Sequence, residues 1–128
     1  MSERELRLQI ISFGYLHAEP PIEADLIIDL REYRDPHIDP ALREMTARDQ
    51  AVIDTVLRTP GIAEQITGLA FHAHLELTEG FDVTIAAGCS GGRHRAPVVS
   101  EQVAAAVRAY GWPVDVIHRD LDKPVVNR

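Results

Sequence analysis

A cysteine, a serine, two arginines and a histidine are gathered with three glycines in Gly88-Cys-Ser-Gly-Gly-Arg-His-Arg95. Glycine lets the backbone curl until several N–H groups converge on one point. A helical pattern begins directly behind the loop. The first turn of a helix adds unpaired N–H groups and the positive end of a dipole. Arg93, His94 and Arg95 bring side-chain charge to the same place. Such a collection suits an anion, phosphate above all. Cys89, Ser90, Gly91, Gly92, Arg93, His94 and Arg95 are therefore expected to line a phosphate-binding loop.

The same residues admit chemistry as well as binding. Cys89 and Arg95 stand at the Cys-x5-Arg spacing of the protein-tyrosine-phosphatase loop. There a thiolate attacks phosphorus, the arginine and backbone N–H groups hold the oxygens, and an aspartate protonates the leaving group. A helix start and neighbouring arginines favour a thiolate, and Asp35, Asp39 or Asp120 would supply the acid. The flanks differ from that pattern: Gly88 stands where those enzymes usually carry His, and Ala96 where they carry Ser or Thr. A P-loop is not present, because Gly-x-x-x-x-Gly-Lys-[Ser/Thr] is missing and Lys123 is the chain's one lysine. ATP hydrolysis by that machinery is not expected.

Two further basic groups follow apolar runs. Arg31, Arg34 and His37 come after Ala24–Leu30, and His118 and Arg119 come after Val114–Ile117. His72 and His74 lie two apart on a helical pattern, so they face different directions and make a poor metal pair. With one cysteine and no zinc spacing, neither a metal nor a cofactor is expected.

The elements that must position these groups can be read from periodicity. Leu6, Leu8 and Ile10 alternate with polar residues and predict a strand to about Gly14. Ala24–Leu30 is a short continuous apolar run, expected as a central strand buried on both faces. Pro and Asp break the chain from Arg31 to Pro40. Thr46–Leu57 and Ile62–Leu77 carry apolar residues at helical spacing. Phe81–Ala87 reads as a strand, the stretch after Arg95 as a helix with Pro97 in its first turn, and Val114–Ile117 as a last strand. Alternating strands and helices predict an α/β fold: one three-layer domain, residues 1–128, with a mostly parallel sheet and a strand–phosphate loop–helix unit. Residues 1–5 are expected to be a flexible N-terminus. In such sheets ligands bind beyond the carboxyl ends of the strands. The three basic groups would then face one crevice.

With 128 residues, 45% of them apolar, and a net charge of −7, the chain suits a folded domain rather than a general nucleic-acid binder. No apolar run is long enough to span a membrane and no signal peptide is visible. One cysteine fits a reducing compartment, so a cytoplasmic location is expected.

Five segments in order resemble the C-terminal domain of the RapZ family of RNase adapters and nucleotide-binding proteins. They are Ser12-Phe-Gly-Tyr15, Ala24-Asp-Leu-Ile-Ile-Asp-Leu-Arg31, Asp35-Pro-His37, Gly88–Arg95 and His118-Arg-Asp-Leu-Asp-Lys123. The resemblance implies an α/β domain that binds an amino-sugar phosphate, glucosamine-6-phosphate, and takes part in small-RNA binding and oligomerisation. Carried over by position, the family's Gly-Cys-Thr-Gly-Gly-x-His-Arg loop falls on Gly88–Arg95 with Ser90 for Thr. The family's Asn-Pro-His becomes Asp35-Pro36-His37, and Ala96 replaces its usual Ser. No Walker-type ATPase domain is expected to accompany the domain, and the family's basic tail is expected to be reduced to Asp120–Arg128.

The leading expectation is thus a stand-alone, non-catalytic sensor of a small phosphorylated metabolite. Ser90, Gly91, Gly92, His94 and Arg95 would hold the phosphate, with Arg31 and His37 approaching from the neighbouring strand and His118 or Arg119 closing the site. Arg95→Ala is expected to abolish binding with little loss of fold. A Cys89/Arg95 phosphatase and an RNA-binding or adapter module are the alternatives. A homo-oligomer and an RNA or protein partner are compatible with the resemblance.

Overall fold

The alternating apolar residues of Leu8–Gly14 form strand β1, as the periodicity predicts. The computed structural model describes residues 5–127, so most of the expected flexible segment 1–5 lies outside the described residues. Strand β2 (Leu26–Asp29) and a 3-10 turn (Pro36–Ile38) follow. Helices α1 (Gln50–Arg58) and α2 (Ile62–Thr78), strand β3 (Val83–Cys89), helix α3 (Arg95–Ala109) and strand β4 (Val114–His118) complete the chain.

The four strands form one parallel sheet in the order β2-β3-β1-β4, an α/β fold in a single small domain. Both helical connections, β2 to β3 and β3 to β4, step across the sheet in the same direction. Right-handed crossovers therefore put their helices on the same face. Leu8, Ile10, Val83, Ile85 and Ala87 from that face join Leu69, Ala73, Val99, Val103 and Val107 from the helices in one core. Each of the Leu, Ile and Val side chains among them contributes roughly 1.5–3 kcal/mol by leaving water.

The connection from β1 to β2 steps the opposite way, so residues 15–25 cross the other face. This connection holds turns at 15–17 and 22–23 and no helix. It accompanies the buried Ile11, Phe13 and Ala86, which belong to the second face. Ile27 and Ile117, at the two ends of the same cross-strand row, stay 45% and 42% exposed.

Two expectations change. β2 is an edge strand and not a central one: it pairs with β3 alone, and its residues alternate between half-buried and exposed. A short apolar run does not distinguish these cases, because Ile27 is apolar without being covered. Helix α1 starts at Gln50 rather than Thr46. The Asp49 carboxylate accepts the Thr46 N–H, and the Thr46 hydroxyl accepts the Arg48 N–H. Those side-chain bonds hold residues 46–49 in a turn that competes with helix. Among the described residues no helix is long and apolar enough to cross a membrane.

Candidate anion-binding site

Strand β3 delivers Cys89 to the carboxyl edge of the sheet, and α3 begins at Arg95. Residues 90–94 turn the chain between them. Gly92 makes the turn with φ +76°, a conformation that side chains rarely adopt. Gly14, at the end of β1, admits the loop: a Cβ there would stand 2.4 Å from the Gly91 carbonyl carbon. Strand end and loop therefore touch backbone to backbone. The Gly14 N–H donates to the Asp120 carboxylate at 2.7 Å, and Leu16 N–H donates to the Ser90 carbonyl at 3.0 Å.

Within this frame the backbone N–H groups of Ser90, Gly91, Gly92 and Arg93 donate to no acceptor among the described residues. They lead into a 15-residue helix with no side-chain cap at His94. The Nε–H groups of Arg93 and Arg95 are also buried without an acceptor among the described residues. Unpaired donors in such number are costly unless water or a ligand satisfies them.

Arg95 is 1% exposed and acts as a staple. Its guanidinium donates to the carbonyls of Leu30, Arg31 and Tyr33, at 3.2, 3.1 and 2.7 Å. It also pairs with Asp35 at 3.2 Å and reaches the Ser90 hydroxyl at 3.4 Å. The side chain thus ties the segment after β2 to the loop before α3. This geometry opposes the expectation that Arg95→Ala would leave the fold nearly intact, because the substitution would remove the donor to one buried and two part-buried carbonyls and the cation beside Asp35.

Other loop residues are tied to residues 44–47. Arg93 donates to the carbonyls of Glu44 and Lys123, its carbonyl accepts the Ala47 N–H, and the buried His94 bonds through Nε2 to the Met45 carbonyl at 2.7 Å. The Cys89 thiol is buried and accepts the Ala96 N–H at 3.4 Å.

Cys89, Gly91, Arg93 and His94 surround a cavity with His37, Asp35, Arg43 and Val125. Its volume is about 10 Å³, room for about one water molecule. His37 is thus beside the loop, as its position after β2 suggested. Ser90 and Gly92 belong to the loop itself. Arg31, His118 and Arg119 are drawn elsewhere. Arg31 grips Asp29 at 2.6 Å and lies 3.7 Å over the Tyr15 ring; this bond holds the Asp29 carboxyl below the usual carboxylate range. His118 bonds through Nδ1 to the Ser12 hydroxyl at 2.7 Å and faces Glu101. Arg119 clasps the carbonyls of Ala18 and Glu19 and the Asp120 carboxylate. Of the residues expected to close the site from the flanking strands, His37 lines the loop cavity, whereas Arg31, His118 and Arg119 do not.

Asp120 and Arg43 were outside the expected ligand set. Asp120 is fully buried and paired with Lys123 at 2.6 Å and Arg119 at 2.8 Å. Burial pushes its carboxyl up, but the bonds from Arg119, Lys123 and the Gly14 N–H outweigh that and hold it below the usual range. Its neighbours Arg119 and Lys123 were the available signal in the sequence. Arg43 donates through Nε to the His37 carbonyl; nothing in its sequence surroundings marked it. Among the described residues no group of three or more His, Cys, Asp or Glu could hold a metal ion.

Fold and site define a parallel α/β domain that presents a strand–glycine loop–helix unit at the carboxyl edge of its sheet. The model of the RapZ C-terminal domain matches residues 6–122, and the chain belongs to that family. It is 40% identical over 127 residues to a nucleotide-binding protein of Thermobifida fusca, covering 94% of this chain and 42% of that protein. A nucleotide-binding protein of Parafrankia sp. (strain EAN1pec) is 42% identical over 125 residues, 92% of this chain and 42% of the relative. One from Desulfovibrio desulfuricans is 40% identical over 124 residues, 93% of this chain and 40% of the relative. The chain thus spans about two fifths of the length of these curated relatives.

Proposed function

We propose that this domain binds a small phosphorylated metabolite at the β3–α3 loop and releases it unchanged. The observation that carries the reading is the run of unspent backbone N–H groups at Ser90–Arg93, leading into α3. Tetrahedral oxyanions satisfy such donors, and the helix dipole adds to the attraction. The unpaired Nε–H groups of Arg93 and Arg95 belong to the same neighbourhood. His37 and His94 would contact the rest of the ligand from the cavity wall.

A sugar phosphate such as glucosamine-6-phosphate suits these surroundings. The Asp35 carboxylate in the same wall would face a ligand ammonium group favourably. The relatives' name supports a small phosphorylated ligand as well, although their binding of nucleotides belongs to proteins more than twice as long. Phosphatase chemistry has less support. The guanidinium that would hold the transferred phosphate is committed to three carbonyls and Asp35.

The test is calorimetric titration with inorganic phosphate, glucosamine-6-phosphate, glucose-6-phosphate and mononucleotides. Ser90→Asp is the matched variant. It sets a carboxylate among the loop N–H groups without removing the Arg95 staple. Saturable binding that disappears in Ser90→Asp, with the melting temperature held and the ligand intact after hours, is the expected result. Absence of binding across the whole panel overturns the proposal. Phosphate release that is lost in Cys89→Ser would reassign the loop to catalysis.

A further inference from the structure

Twelve of the chain's 13 basic residues are arginine, and nearly all those described have a partner. Arg7 closes on Asp115, Arg31 on Asp29, Arg48 on Asp122, Arg95 on Asp35 and Arg119 on Asp120. Arg43, Arg93 and Arg108 close on backbone carbonyls. The side chains of Arg34 and Arg58 make neither an ion pair nor a hydrogen bond among the described residues. In a chain with 20 acidic residues, carboxylates to pair with are plentiful. Yet these two exceptions line one open pocket of about 320 Å³.

The pocket lies between the 3-10 turn and the end of α1. Asp39, Thr55, Thr59 and Pro60 complete its wall. The Thr55 and Thr59 hydroxyls donate to the carbonyls of Ala51 and Thr55, at 2.8 and 2.9 Å. Their oxygens keep lone pairs free, so toward a ligand they act as acceptors. Asp39 spends one oxygen on the Ala41 N–H. The wall therefore offers two guanidinium forks and a set of acceptors. Guanidinium forks match carboxylate and phosphate oxygens in shape as well as charge.

We propose that Arg34 and Arg58 form a second anion site, separate from the β3–α3 loop. It takes a small molecule bearing a phosphate or carboxylate together with hydroxyl or amino donors. The anionic group lies between the two guanidiniums, and the donors meet Asp39 and the threonine oxygens. The segment 34–39 separates the two sites. Asp35 and His37 line the loop cavity, whereas Arg34 and Asp39 line this pocket.

The experiment is a heteronuclear NMR titration that follows backbone amides and arginine Nε–H groups. The probes are inorganic phosphate, glycerol-3-phosphate and malate, which separate phosphate from carboxylate recognition. Saturable shifts are expected at the Arg34 and Arg58 Nε–H groups and at the Thr59 N–H, with at least one hydroxylated probe. They persist in Ser90→Asp, which disables the loop alone. In the Arg34→Gln/Arg58→Gln double variant the affinity falls about tenfold or more, as loss of charge-assisted bonds implies. Both side chains are exposed, so an otherwise unchanged spectrum shows that the variant folds. No saturable shift at these groups with any probe overturns the proposal. So does unchanged binding in the double variant.

Discussion

At the amino end of the sheet Arg7 meets Asp115 in the open, with 38% and 52% of their side chains exposed. At the carboxyl end Arg95 and Asp120 are 1% and 0% exposed. The residue types are the same, but their work differs. An exposed pair trades one hydrated state for another and gains little. A buried charge must be fully surrounded by partners to be tolerated. Arg95 meets that demand at its terminal nitrogens with three carbonyls and a carboxylate, leaving its Nε–H open, and Asp120 meets it with a cation on either side and a backbone N–H. The carboxyl end is therefore where charge fixes backbone shape. The loop it fixes is the one whose own N–H groups stay unspent. Shape at this end is held by side chains so that main-chain donors remain available.

The contrast can be broken most forcefully at Arg95. Arg95→Ala should lower unfolding stability by about 3–5 kcal/mol, because buried partners lose their cation. Denaturant titration checks this, and Arg95→Lys should recover little, since one ammonium does not reproduce the fork. A loss under 1 kcal/mol would show that the staple is not needed. Next is Asp120→Asn, for which roughly 3 kcal/mol is expected at neutral pH. The Asp120 carboxyl is held below its usual range in the folded protein. Its contribution is therefore complete above the ordinary unfolded value of about 4. It is lost as pH falls through the lower native value. The gap between wild type and Asp120→Asn should accordingly close on acidification, and melting curves at several pH values read it. Ser12→Ala tests a part-buried contact at the same end, the bond between its hydroxyl and His118, and should cost about 1 kcal/mol. Arg7→Ala should leave the melting temperature where it was; a clear drop would end the contrast between the two sheet ends.

Much of this was legible in the sequence. The strand–loop–helix unit announced itself because glycines, charges and an apolar stripe changed within a few residues of each other. The family resemblance was legible for the same reason, being carried by short segments, three of which fall at the ends of β1, β3 and β4. Strand order was less accessible. Ala24–Leu30 is apolar enough for a central strand, yet β2 borders solvent, since sequence records a side chain's type and not its cover. The fate of each arginine was least accessible. Arg31, Arg93, Arg95 and Arg119 all follow strands, and composition alone presented them as equivalent ligands. What separates them is which carbonyl or carboxylate the folded chain brings within 3 Å or so, and that depends on segments up to a hundred residues away. Arg34 and Arg58 are the reverse case: the sequence grouped Arg34 with Arg31 and His37 and left Arg58 unmarked, and in the fold both side chains stand apart from the other described arginines, without a partner of their own among the described residues.

Val125 belongs to the wall of the loop cavity, and the carbonyl of Lys123 occupies one arm of Arg93. A cavity that accommodates one water molecule would admit a sugar phosphate, as proposed, only if part of its eight-residue wall moved. The segment after β4 forms part of that wall, which makes residues 123–125 natural reporters of occupancy.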